Sequence, residues 1–150
     1  MAKNVTRQTW RNENLGGSYY GGFVWVQPCE DGTDNDPFEL FGTLQFNHYA
    51  DNTVRIDMQI TSAFSNGVPQ TVPANATGSI TGPYTQSGHM GRIQGTFTYT
   101  YGPDTGTLQW TLFEIDRTTS GITGRFSAQT PGDGCKVYRR YDGRFGGVRR

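Results

Sequence analysis

The chain has 150 residues, 13 basic and 13 acidic side chains, and therefore a formal net charge of zero. That length suits one ordinary domain able to bury a core without a metal, and the balanced charge lacks the basic footprint of a nucleic-acid binder. Nine Phe, eight Tyr and three Trp among 21 glycines exclude a disordered chain and a Leu- and Ala-rich bundle, and favour short strands with tight turns.

Residues 1–17 read as an N-terminal extension. Met1-Ala2-Lys3 leads into polar sequence with no visible signal peptide, so an exported form would have lost its leader already. No run approaches the ~20 apolar residues of a membrane helix, so no membrane is expected as a partner. Residues 18–142 carry eight runs of period-two alternation, each ended by turn residues.

The first strand, Ser18 to Gln27, is apolar on both faces: Tyr20, Val24 and Val26 alternate with Tyr19, Phe23 and Trp25. One set must face outward, covered by the N-terminal segment or by another subunit of a homo-oligomer. The second strand, Phe38 to His48, places Phe38, Leu40, Gly42, Leu44 and Phe46 on one face. The third, Thr53 to Phe64, aligns Val54, Ile56, Met58 and Ile60, after a turn through Ala50-Asp51-Asn52. The fourth, Ala74 to Tyr84, is the weakest. The fifth, Arg92 to Tyr101, sets Ile93, Gly95, Phe97, Tyr99 and Tyr101 on one face. After the turn Gly102-Pro103-Asp104-Thr105-Gly106, the sixth strand runs Thr107 to Asp116 with Leu108, Trp110 and Leu112 aligned and Phe113 and Ile115 outward. The seventh is Ile122 to Gln129 and the eighth Cys135 to Tyr141. Residues 143–150 read as a basic C-terminal tail, and the last dozen residues carry Arg139, Arg140, Arg144, Arg149 and Arg150.

No connection is long enough for parallel crossovers, so the strands form an antiparallel meander. Closure removes exposed edges, and Gly42, Gly78, Gly95 and Gly124 on the apolar faces suit the bends of a barrel better than a flat sandwich. The expected fold is all-β, an eight-stranded antiparallel up-and-down barrel. Its first strand ends near Cys29 and its last begins at Cys135. In a closed meander both points lie at one end, on neighbouring strands, so a Cys29–Cys135 disulfide is expected. It implies an oxidising, secreted or periplasmic location.

At the opposite rim the parity gathers His48, Glu114, Asp116 and His89. Histidine and carboxylate pairs do general acid–base work, which makes Glu114 and His48 the candidate catalytic residues. No metal-ligand spacing, phosphate loop or dinucleotide fingerprint is present, so no metal or cofactor is expected. The acidic loop Glu30 to Asp36 lacks the spacing of a calcium loop. Inside, Trp110, Phe97, Tyr99, Met58, Phe46 and Leu44 are candidate ligand-binding residues, although the same set could fill a solid core.

The opening strand Tyr19-Tyr20-Gly21-Gly22-Phe23-Val24-Trp25 resembles the glycine–tryptophan strand that begins many lipocalin-like (calycin) barrels, and the likeness in architecture covers about Ser18 to Tyr141. Avidin-type barrels and barrel-shaped cyclases are similar at this level too. The resemblance implies a barrel that binds a small apolar or aromatic molecule in its interior. The alternative is a cyclase or isomerase acting on a hydrophobic substrate, with a rim carboxylate, histidine or tyrosine moving the proton.

Overall fold

A computed structural model describes residues 14–88 and 90–150; most of the N-terminal extension and the rim residue His89 fall outside them. The described chain forms nine strands: β1 Gly17–Val26, β2 Pro37–His48, β3 Thr53–Ser65, β4 Val68–Gln70, β5 Thr77–Ser87, β6 Met90–Tyr101, β7 Asp104–Arg117, β8 Gly121–Pro131 and β9 Tyr138–Arg149. All pairings are antiparallel. Eight strands close into an up-and-down barrel in which β2 pairs with both β1 and β3, and β1 pairs with β9. The short β4 lies outside this ring and pairs only with the end of β3. Its turn, Asn66-Gly67, has both residues at positive φ (52° and 78°), the backbone that a two-residue hairpin needs.

Two strands depart from the sequence reading. β9 continues to Arg149, pairing with β1 along Tyr19↔Arg149 to Val26↔Asp142 and with β8. Arg139, Arg140, Arg144 and Arg149 therefore belong to the sheet. A run of small residues, Gly143, Gly146 and Gly147, had hidden the alternation there. In β7 the register slips between Phe113 and Asp116, and Glu114 takes a positive φ of 52°. This bulge inserts one extra residue and reverses the parity beyond it. Ile115 consequently turns into the core, while Glu114 turns out.

The inward residues pack unevenly along the barrel axis. Toward the end that holds the β2–β3 turn, Leu15 plugs the interior with Tyr19, Phe46, Val54, Ile93, Ile115 and Ile122 around it, all essentially excluded from solvent. Close approach explains two inward glycines. A Cβ at Gly42 would sit 1.8 Å from the Gln59 carbonyl oxygen, at the β2–β3 register shift. A Cβ at Gly78 would meet the Phe97 ring at 2.9 Å.

At the other end Cys29 and Cys135 form the disulfide, their Cα atoms 5.4 Å apart, within the usual range for a bridge. Beside it the buried Arg139 guanidinium donates to the backbone oxygens of Gln27 (2.7 Å) and Asp133 (2.9 Å) and pairs with Asp34 at 3.3 Å. Glu30 accepts from the backbone N–H groups of Val137 and Tyr138. The bridge spans 106 residues of sequence, and closing a loop of about that length is worth ~4.7 kcal/mol in the chain-entropy account. Replacing both cysteines by serine is expected to lower unfolding free energy in urea by up to about that amount while far-ultraviolet circular dichroism keeps its strand signature. Equal stability of oxidised and reduced protein would contradict it.

Candidate functional site

The upper half of the barrel, toward the disulfide, is hollow. A cavity of about 560 Å³ opens there, bounded by Phe23 and Trp25 from β1, Phe38 and Leu40 from β2, Met58 and Ile60 from β3, Phe97, Tyr99 and Tyr101 from β6, Leu108 and Trp110 from β7, and Tyr141 from β9. The size lies within the range of small-molecule sites. The lower half is the packed plug described above, so the pocket is blind.

One wall is a run of stacked rings. Trp110 lies between Phe97 (centroids 4.4 Å apart, planes 17°) and Phe126 (4.6 Å, 6°), and Tyr99 extends the stack beyond Phe97 at 6.0 Å. Phe23 closes the bottom edge-on, 5.9 Å from Trp110 and 5.4 Å from Phe126. Across the cavity Trp25 stacks on Phe38 at 5.8 Å, and its indole N–H donates to Gln27 Oε1 at 2.9 Å. Each ring is held by other rings, which presents a preformed apolar surface at little further ordering cost.

Polar groups sit at the rim. Gln27, Thr77, Thr100, Asp104 and Thr105 line it. Asn75 exchanges two hydrogen bonds with the Gly102 backbone, at 2.9 and 3.0 Å, which ties the β4–β5 connection to the β6–β7 turn. The half-buried Tyr141 hydroxyl donates to Asp133. Burial first, then that hydrogen bond and the carboxylate charge, pushes its pKa up from 10 to about 12.

Of the six residues expected to bind a ligand, Trp110, Phe97, Tyr99 and Met58 line the cavity. Phe46 and Leu44 do not: both are 1% exposed and belong to the core, with Phe46 packed edge-on against Tyr19 at 5.3 Å. They point inward as expected but lie too far down the axis. Phe23, Trp25, Phe38, Leu40, Ile60, Tyr101, Leu108 and Tyr141 were missed. The available signal was height, since each is an inward position near the strand end on the cysteine side.

The two candidate catalytic residues stand elsewhere. His48 is at the plugged end, where its Nδ1 accepts the Leu15 backbone N–H (3.1 Å) and its Nε2 lies 2.7 Å from Asn52 Oδ1. Asn52 donates in turn to the Tyr84 carbonyl at 2.9 Å, so His48 latches the plug to the β2–β3 turn. Glu114 is turned to the outer surface by the β7 bulge and pairs loosely with Arg125 at 3.7 Å. Neither belongs to the cavity lining, and they are not brought together on one interior face.

No family model matches the chain, and no curated protein or solved structure matches it. The closed eight-stranded antiparallel ring is compatible with a calycin-like architecture.

Titrating the phenolate absorbance should reveal a tyrosine ionising near pH 12, and Asp133→Asn should lower that value. The folded state holds this proton after the unfolded chain has released it. The contribution of Tyr141 to stability is therefore complete below about pH 10 and is lost as pH rises toward 12. A titration in which every tyrosine ionises near 10 would refute this placement.

Proposed function

We propose that this barrel is an extracytoplasmic, lipocalin-like carrier that holds a small apolar or aromatic molecule in the cavity at its disulfide end. The observation that supports it most is the division of the interior: about 560 Å³ of ring-walled space stands above a tightly packed plug. A protein whose interior served only stability would gain by filling that space, since empty apolar volume is destabilising. The disulfide is consistent with an oxidising compartment. A cyclase or isomerase working in the same cavity would have to move its proton through a lining tyrosine or Asp104, since Glu114 and His48 lie outside the lining.

Native mass spectrometry of the protein from its source should show a co-purifying molecule of a few hundred daltons, a size that fits such a volume. In titrations with an environment-sensitive apolar dye, Leu108→Trp should weaken binding at least tenfold by filling the mouth. Leu44→Ala should cost about 2–5 kcal/mol of stability and leave the affinity within twofold. Unchanged dye binding by Leu108→Trp would move the site elsewhere.

We also propose that the outer face of β1 and β9 pairs with a second copy of the chain. Tyr20 (51% exposed), Val24 (38%) and Val148 (61%) stand there around the low floor of Gly21, Gly22, Gly146 and Gly147. Light scattering should report a dimer that Val24→Glu converts to monomer; a monomeric parent protein at high concentration would exclude it.

A further inference from the structure

The lining of the cavity has a one-sided charge. Among the described residues that bound it, Asp104 is the one charged side chain, and no Lys, Arg or His is present. Asp104 sits at the rim, at the start of β7, and takes part in no ion pair among the described residues. The surrounding loops are predominantly acidic. The loop between β1 and β2 carries Glu30, Asp31, Asp34 and Asp36, and the β8–β9 loop carries Asp133 together with the exposed Lys136. The Arg139 guanidinium at this end is buried and already committed to Asp34 and Asp133.

These features discriminate between ligands with the same apolar body. A carboxylate entering this mouth would lose water, find no cation, and face Asp104. An ammonium group would face Asp104 and the π faces of the cavity's aromatic rings, which attract a cation. A neutral molecule would feel neither effect. Acidic loops around a low-dielectric opening also raise the local concentration of cations.

Resting on the carrier reading, we propose that the natural ligand is a cation: an amine or quaternary ammonium group on an aromatic or other apolar body, seated with its charge at the Asp104 rim and its apolar part between the ring-lined walls. An exposed rim pair contributes little by itself, and cation–π contact adds a comparable amount. Together they should give the cation about a tenfold advantage over its neutral analogue.

The test uses isothermal calorimetry on the oxidised full chain at low salt with three probes sharing one ring system: naphthylmethyl-trimethylammonium, naphthylmethanol and naphthylacetate. The expected order is ammonium tightest by about tenfold, then alcohol, then carboxylate, with the ammonium advantage shrinking as salt is added. Asp104→Lys should bring the ammonium-to-alcohol ratio to one or below and improve the carboxylate. If the alcohol binds and the wild-type protein shows no preference for the ammonium, the charge assignment is overturned while the cavity stands. Failure of all three probes to bind would overturn the carrier reading and this proposal with it.

Discussion

The pairing of β1 with β9 makes this molecule a barrel. Without it the strands would form an open sheet with two exposed edges, and the inward rings would have no opposite wall to pack against. The seam is made largely of glycine: Gly21 lies opposite Gly147 and Gly22 opposite Gly146. A Cβ on Gly21 would come within 1.9 Å of the Gly146 carbonyl oxygen, so the backbones approach more closely than side chains would allow. Phe23 and Phe145 face each other across the same seam, and their rings meet at 5.6 Å inside. The closure is thus fastened by backbone hydrogen bonds within the wall and by aromatic contact behind it.

That closed wall encloses two materials. Below, aliphatic side chains and the rings of Tyr19 and Phe46 interdigitate around Leu15 as in any protein core. Above, the inward residues are broad rings that stack along the wall and leave the axis empty. The solid half gives the fold its rigidity, and the hollow half inherits it: rings anchored to strands need no ligand to hold them in place.

Much of this was legible in the sequence. Alternation located seven of the eight wall strands and the start of the eighth, and parity identified the inward side of β2, β3 and β6. The two cysteines reported the closure, because a meander puts residues 29 and 135 together only if the first and last strands are neighbours. What escaped had local physical causes. The bulge at Glu114 adds a residue that no alternation pattern announces, and it exchanged the positions of Glu114 and Ile115. Glycines in β9 blank its pattern, so its arginine-rich end reads as a basic tail. Asn66-Gly67 was a readable hairpin signal, but the strand after it, Val68–Gln70, is exposed throughout and shows no alternation. Parity also says which way a side chain points and not how far along the axis it sits, so Leu44 and Phe46 were grouped with Trp110 although the plug claims them.

The covalent bridge and the Arg139 clamp share one arc of the rim. There the β1–β2 loop is riveted to the β8–β9 loop by a disulfide, a buried guanidinium and the Glu30 carboxylate. The facing arc, where Asn75 meets Gly102, is joined by two side-chain hydrogen bonds exposed to water. One arc of the aperture is therefore covalently fixed, while the facing arc is held by two side-chain hydrogen bonds, so any widening that spares the covalent bond falls to the Asn75 side.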